Sequence, residues 1–128
     1  MKNHYKKVKL SFEDHPQTHP FYGLPRDCGW VYAVRFGDKV KLGKTGNPGT
    51  RMDTLQTQQG KSYDELHLVV CDDTGRAERG LHNRFAAYRL EGEWFKLSHI
   101  QTEIIRSIKE FKDGQFIQER PPKPAQMY

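Results

Sequence analysis

Trp30 to Arg51 reads W-V-Y-A-V-R-F-G-D-K-V-K-L-G-K-T-G-N-P-G-T-R, two short apolar runs around a Gly-Asp pair, then a Gly, Lys, Thr, Asn and Pro cluster. Val31 to Phe36 and Lys39 to Leu42 alternate as half-buried strands do, and Gly37-Asp38 suits a two-residue type II′ turn, so the stretch predicts a β-hairpin. Alternation places Val31, Ala33 and Arg35 on one face and Tyr32, Val34 and Phe36 on the other. Tyr32 is the polar-tipped member of an otherwise apolar set.

Outward from the hairpin, Asn47-Pro48 reads as an N-cap followed by a first-turn proline, predicting a helix to Gln59 that Gly60 stops. Leu66 to Cys71 is rich in β-branched residues and is closed by Asp72-Asp73-Thr74-Gly75, giving a third strand. Ala77, Leu81 and Phe85 form the core stripe of an amphipathic helix over Arg76 to Tyr88, despite Gly80. The segment E-G-E-W-F-K-L at 91 to 97 reads as a turn plus a short extended piece. Ser98 and Gln101 make a capping box for a last helix, in which Ile104, Ile105, Ile108 and Phe111 face the core and which ends near Gly114. The expected fold is α+β: a small three-stranded antiparallel sheet flanked by helices.

Both ends differ from this middle. Residues 1 to 28 carry four lysines in the first nine positions and then a Pro, His and Gly-rich run, which reads as an irregular basic arm, with a short strand over the alternating Val8, Leu10 and Phe12. Residues 29 to 117 form the domain, and the proline-rich 118 to 128 form a tail too poor in apolar residues to join a core. At 128 residues and 35% hydrophobic content the chain suits one modest core. A net charge of +5 favours polyanionic partners, nucleic acid first among them. Two cysteines, Cys28 and Cys71, are too few for a disulfide scaffold and point to a reduced, cytoplasmic setting. No stretch approaches the ~20 apolar residues of a membrane span. His15, His19, Cys28 and Cys71 lack the paired spacing of a zinc site, and the full P-loop pattern is missing around Lys44 and Thr45.

Val31-Tyr32, the K-L-G-K-T run at 41 to 45, Arg51, the E-x-x-x-H run from Glu78 to His82 and the late Glu93-Trp94-Phe95 together resemble the GIY-YIG nuclease superfamily, in its diverged, often phage-encoded branch. The resemblance covers roughly residues 29 to 97. It implies a DNA endonuclease dependent on Mg²⁺ (or Mn²⁺), with Tyr32 near the attacking water, Gly43 as the second-motif glycine, Arg51 near the phosphate and Glu78 as the metal ligand. The residue types fit the chemistry. A hard cation takes one or two carboxylates plus waters and phosphate oxygens, and arginine's planar fork suits a phosphate gaining charge.

The sequence departs from the family at Lys41, which replaces the second-motif tyrosine, and at Trp30, which replaces a glycine. Lys41 is expected to bind the scissile phosphate or to lower the pKa of Tyr32. His82, one turn after Glu78, is a candidate proton relay or phosphate contact. Lys44 and the arm lysines Lys6, Lys7 and Lys9 are candidates for holding DNA phosphates without reading sequence. Trp94 and Phe95 read as core or rim aromatics, with Glu93 orienting a site residue. The alternatives are a non-catalytic DNA-binding module derived from a nuclease, or an adaptor using the tail as a polyproline II ligand.

Overall fold

A computed structural model describes residues 28–118. Lys6, Lys7, Lys9, the alternating Val8 to Phe12 run and the proline-rich tail from 119 on lie outside the described residues. The described chain runs β1 (Gly29–Phe36), β2 (Lys39–Thr45), α1 (Pro48–Gln59), β3 (Glu65–Cys71), α2 (Thr74–Arg84), a 3₁₀ turn (Ala86–Tyr88), β4 (Arg89–Glu91), β5 (Trp94–Phe95), α3 (His99–Arg106), β6 (Ile108–Lys112) and β7 (Gln115–Gln118).

The α+β class holds, but the expected three-stranded antiparallel sheet is one seven-stranded mixed sheet among the described residues, ordered β4-β5-β2-β1-β3-β6-β7. All its pairs are antiparallel except β3 with β6. The central β1 is buried along its whole length instead of half-buried. Its two faces serve two cores. Val31 and Ala33 pack with Leu42, Val69, Leu81, Phe85, Ile105 and Phe111 under α2 and α3. Tyr32, Val34 and Phe36 pack with Met52 and Leu55 of α1. Arg35 shares the first face, where it is 5% exposed and donates to the Leu97 carbonyl at 3.0 Å and to Thr102 Oγ1 at 3.3 Å, so its charge is met on the inside.

Local signals hold where they are short-range. Gly37 is at φ 68 in the β1–β2 turn. Asn47 Oδ1 accepts from the Thr50 amide at 3.2 Å, and Gly60 closes α1 at φ 72. Ser98 and Gln101 make the reciprocal capping box of α3, at 3.1 and 2.7 Å. Such a cap stabilises a helix by about 1 kcal/mol.

Two helices are corrected. The second begins at Thr74, capped by Asp73, and ends at Arg84 instead of Tyr88. The last stops at Arg106, and the segment up to Gly114 is the first strand of a hairpin. Ile108 and Phe111 do both reach the core, which is why a helical spacing fitted them. They reach it through a β-bulge between Ile108 and Glu110, which turns residues three apart to one face. Asp113 and Gly114, at φ 53 and 81, form the turn, the Asp-Gly pair that a type I′ hairpin requires. Gly80 in α2 also gains a reason: the Phe116 ring of β7 lies 3.0 Å from where its Cβ would be.

Candidate active site

The site begins with a cross-strand pair. Tyr32 lies opposite Gly43 in the β1–β2 register, so both project to the α1 face. A side chain at 43 would overlap the Tyr32 hydroxyl and ring carbon Cζ, and would lie 3.0 Å from Glu93 Oε1. Glycine there is what allows the tyrosine to lie across β2 and bring its hydroxyl to the strand's outer edge.

Three other elements act on that hydroxyl. Arg51 from the first turn of α1, Glu93 from the β4–β5 turn and Glu78 from α2 all lie close enough to act on it electrostatically. Tyr32 is 1% exposed, and burial raises its phenol well above the ordinary value of 10.0, opposed by the Arg51 guanidinium and reinforced by the two carboxylates. The expectation that Lys41 lowers the Tyr32 pKa therefore does not hold. Desolvation moves it up, and the cation acting against that rise is Arg51.

Lys41 shares the Tyr32 face, opposite Val34. Its ammonium lies 3.4 Å from Glu93 Oε1 and 5.3 Å from the centre of the Trp94 ring. Lys39 Nζ sits 4.7 Å from the same ring, and Phe36 meets it edge-on at 6.1 Å. Trp94 is thus a half-buried rim aromatic covered by two cations. Lys44, opposite Val31, projects to the other face, where it is exposed and acts on Glu78.

Glu78 and Glu93 are the closest acidic encounter in the site. Burial, then a hydrogen bond and charge repulsion from Glu93, raise the Glu78 carboxyl pKa, with His82 and Lys44 opposing. Glu78 Oε2 is buried without a hydrogen-bonding partner. An orphaned carboxylate oxygen beside a second carboxylate is the arrangement a hard divalent cation satisfies, so these residues fit Mg²⁺ or Mn²⁺. No group of three or more His, Cys, Asp and Glu gathers among the described residues, and His15 and His19 lie outside them. Cys71 is buried, with its thiol pushed up to about 12, and Cys28 is also unpaired.

His82 is tied on both sides. Nε2 donates to the Leu42 carbonyl at 2.8 Å, which fixes the tautomer, and Nδ1 accepts from the Arg89 guanidinium at 3.2 Å. The neighbouring Leu42 amide donates to the Glu93 carbonyl at 2.9 Å. His82 and the Glu93 backbone therefore seal the edge of β2 just before Gly43. In the sequence Glu93 reads only as a supporting residue. The signal for more was its place after Gly92 in a two-residue turn next to an aromatic pair, but nothing in sequence places that turn against β2. Arg51 is exposed beside a cavity of about 390 Å³ lined by Thr45, Gly46, Asn47, Thr50, Arg51 and Thr54.

A family model described as the T5orf172 domain matches residues 29–112, from the start of β1 to the end of β6. No curated protein and no solved structure matches the chain.

Proposed function

Since the chain belongs to the T5orf172 domain family, a phage-associated domain of the nuclease type, we propose that it is a metal-dependent endonuclease that hydrolyses DNA phosphodiester bonds in the GIY-YIG manner. The observation that carries this reading is that Tyr32 and Glu93 meet over Gly43, with Arg51 and Glu78 acting electrostatically on the same phenol. Glu78 would hold a Mg²⁺ or Mn²⁺ ion, which would supply polarisation of the phosphoryl group and help form the nucleophile.

The chain's own residues supply the rest. Tyr32, like any phenol, keeps its proton at neutral pH, and burial strengthens that hold, so its hydroxyl orients the attacking water or a phosphate oxygen by hydrogen bonding. Arg51 is exposed at the mouth of the site and takes a non-bridging phosphate oxygen pair with its planar fork. Lys41 and Lys44 flank the carboxylates and steer the DNA backbone towards them. His82, with both ring nitrogens engaged, holds the edge of β2 in place and is a positioning residue. Incubating supercoiled plasmid and branched DNA with each metal tests the proposal. Nicking by wild type and its loss in Glu78→Ala is the expected result; equal behaviour of the two proteins in every condition defeats it.

The Lys41–Glu93 ion pair, in the place of a second tyrosine, favours one other reading, a DNA-binding module that no longer cuts. That module would bind DNA in a salt-dependent way, unaffected by divalent metal or by Tyr32→Phe.

A further inference from the structure

We propose that Glu93 is a second carboxylate ligand of the divalent-cation site, binding the ion together with Glu78. This rests on the metal-dependent reading above and extends it to a residue of a different element. The backbone of Glu93 is pinned: its carbonyl accepts from the Leu42 amide at 2.9 Å, and the preceding Gly92, at φ 58, turns the chain back at that point. Its side chain lies over β2 as well. Oε1 lies 3.0 Å from the position a Gly43 Cβ would take and 3.4 Å from Lys41 Nζ. Gly43 therefore clears space for two groups at once, the Tyr32 hydroxyl and the Glu93 carboxylate.

Glu78 arrives from α2, on the opposite side of the sheet, and its carboxyl comes within hydrogen-bonding range of Glu93. Two carboxylates that close repel unless a proton or a cation lies between them. The lysines do not complete the site: Lys41 sits on the Glu93 side, and Glu78 Oε2 stays buried without a hydrogen-bonding partner. A cation that accepts one or two carboxylates and fills its remaining positions with water and phosphate oxygens matches this donor set. Both glutamates are tied to one residue of β2: His82, one turn beyond Glu78, donates to the Leu42 carbonyl, and the Leu42 amide donates to the Glu93 backbone carbonyl. The same β2 residue thus sets the distance between both ligands.

Mn²⁺ binding to the full chain without DNA, followed by electron paramagnetic resonance of the free ion, tests the assignment. Glu93→Gln is expected to weaken Mn²⁺ binding at least about tenfold, as is Glu78→Gln, while Glu93→Asp, which keeps a carboxylate, falls between Glu93→Gln and wild type. Circular dichroism of each variant reports whether it is folded, and Glu93→Asp serves if Glu93→Gln is not. Wild-type affinity in Glu93→Gln, with loss in Glu78→Gln, would overturn the proposal while leaving a Glu78-dependent nuclease intact. A wild-type chain that binds no Mn²⁺ would overturn it too, whatever the cleavage assay shows.

Discussion

Gly43 is where the smallest side chain has the largest consequence. Because an added methyl would overlap Tyr32 and crowd Glu93, Gly43→Ala should cost about 1–3 kcal/mol, the usual range for overpacking a filled site, and should abolish nicking. Urea unfolding checks the first part. Pairing Gly43→Ala with Tyr32→Ala should cost less than the sum of the two, since the second change removes the ring that the first one strikes. Tyr32 itself makes a pH prediction. Its folded pKa lies above the unfolded value of 10.0, so its contribution to stability is complete below pH 10.0 and is lost as pH rises beyond it towards the folded pKa. Lysines also titrate there. The measurement is therefore the difference between wild type and Tyr32→Phe, whose alkaline loss of stability should be shallower; parallel curves would contradict the burial argument. The alternation of β1 already placed Tyr32 on the face with Val34 and Phe36, but not the residues that meet its hydroxyl, because those come from elements 19 to 61 positions away along the chain.

At the level of elements, the strap from α2 to β2 is the piece most open to test. His82→Phe keeps the ring's contact with Phe95, at 5.1 Å between centroids, but leaves the Leu42 carbonyl without its donor. A loss of about 1–3 kcal/mol is expected from an unpaired, partly buried acceptor, with faster amide exchange along β2 and no change in the pH profile of residual cleavage. A lost pH-dependent limb would restore His82 as a proton carrier. In the C-terminal hairpin, Gly114→Ala forces a side chain into φ 81 and against the Arg76 guanidinium, so it should destabilise by about 1 kcal/mol. The turn was readable as Asp-Gly in the sequence, yet the bulge beside it gave Ile108 and Phe111 a helix-like spacing. A capping box ahead of it and the helical spacing of Ile104, Ile105, Ile108 and Phe111 favour a helix running to near Gly114, eight residues beyond its actual end at Arg106. Caps and turns act over three or four residues, whereas a bulge exists only once a partner strand has set the register.

For the molecule as a whole, the excess of positive charge, +5 over 128 residues, predicts DNA affinity that falls steeply with salt. Arg51→Ala should lower the slope of log affinity against log salt by about 1, as expected for one lost phosphate contact, with weakening that is uniform across DNA sequences. Filter binding at several salt concentrations measures both. The family match ends at residue 112, so β7 lies beyond it, although Phe116 of β7 packs on α2 at Gly80 and so completes the layer that carries Glu78. By itself the sequence determined the first hairpin, the extent of α1, the third strand and the caps of α1 and α3, because each depends on neighbours within a turn or a strand. Only the tertiary structure decided that β5 pairs with β2, that Lys41 meets Glu93 and that Glu78 and Glu93 share one site with Tyr32. Those meetings depend on strand order and on how α2 crosses the sheet, and strand order is set by the burial of both faces of β1, a property of the packed whole and of no single segment.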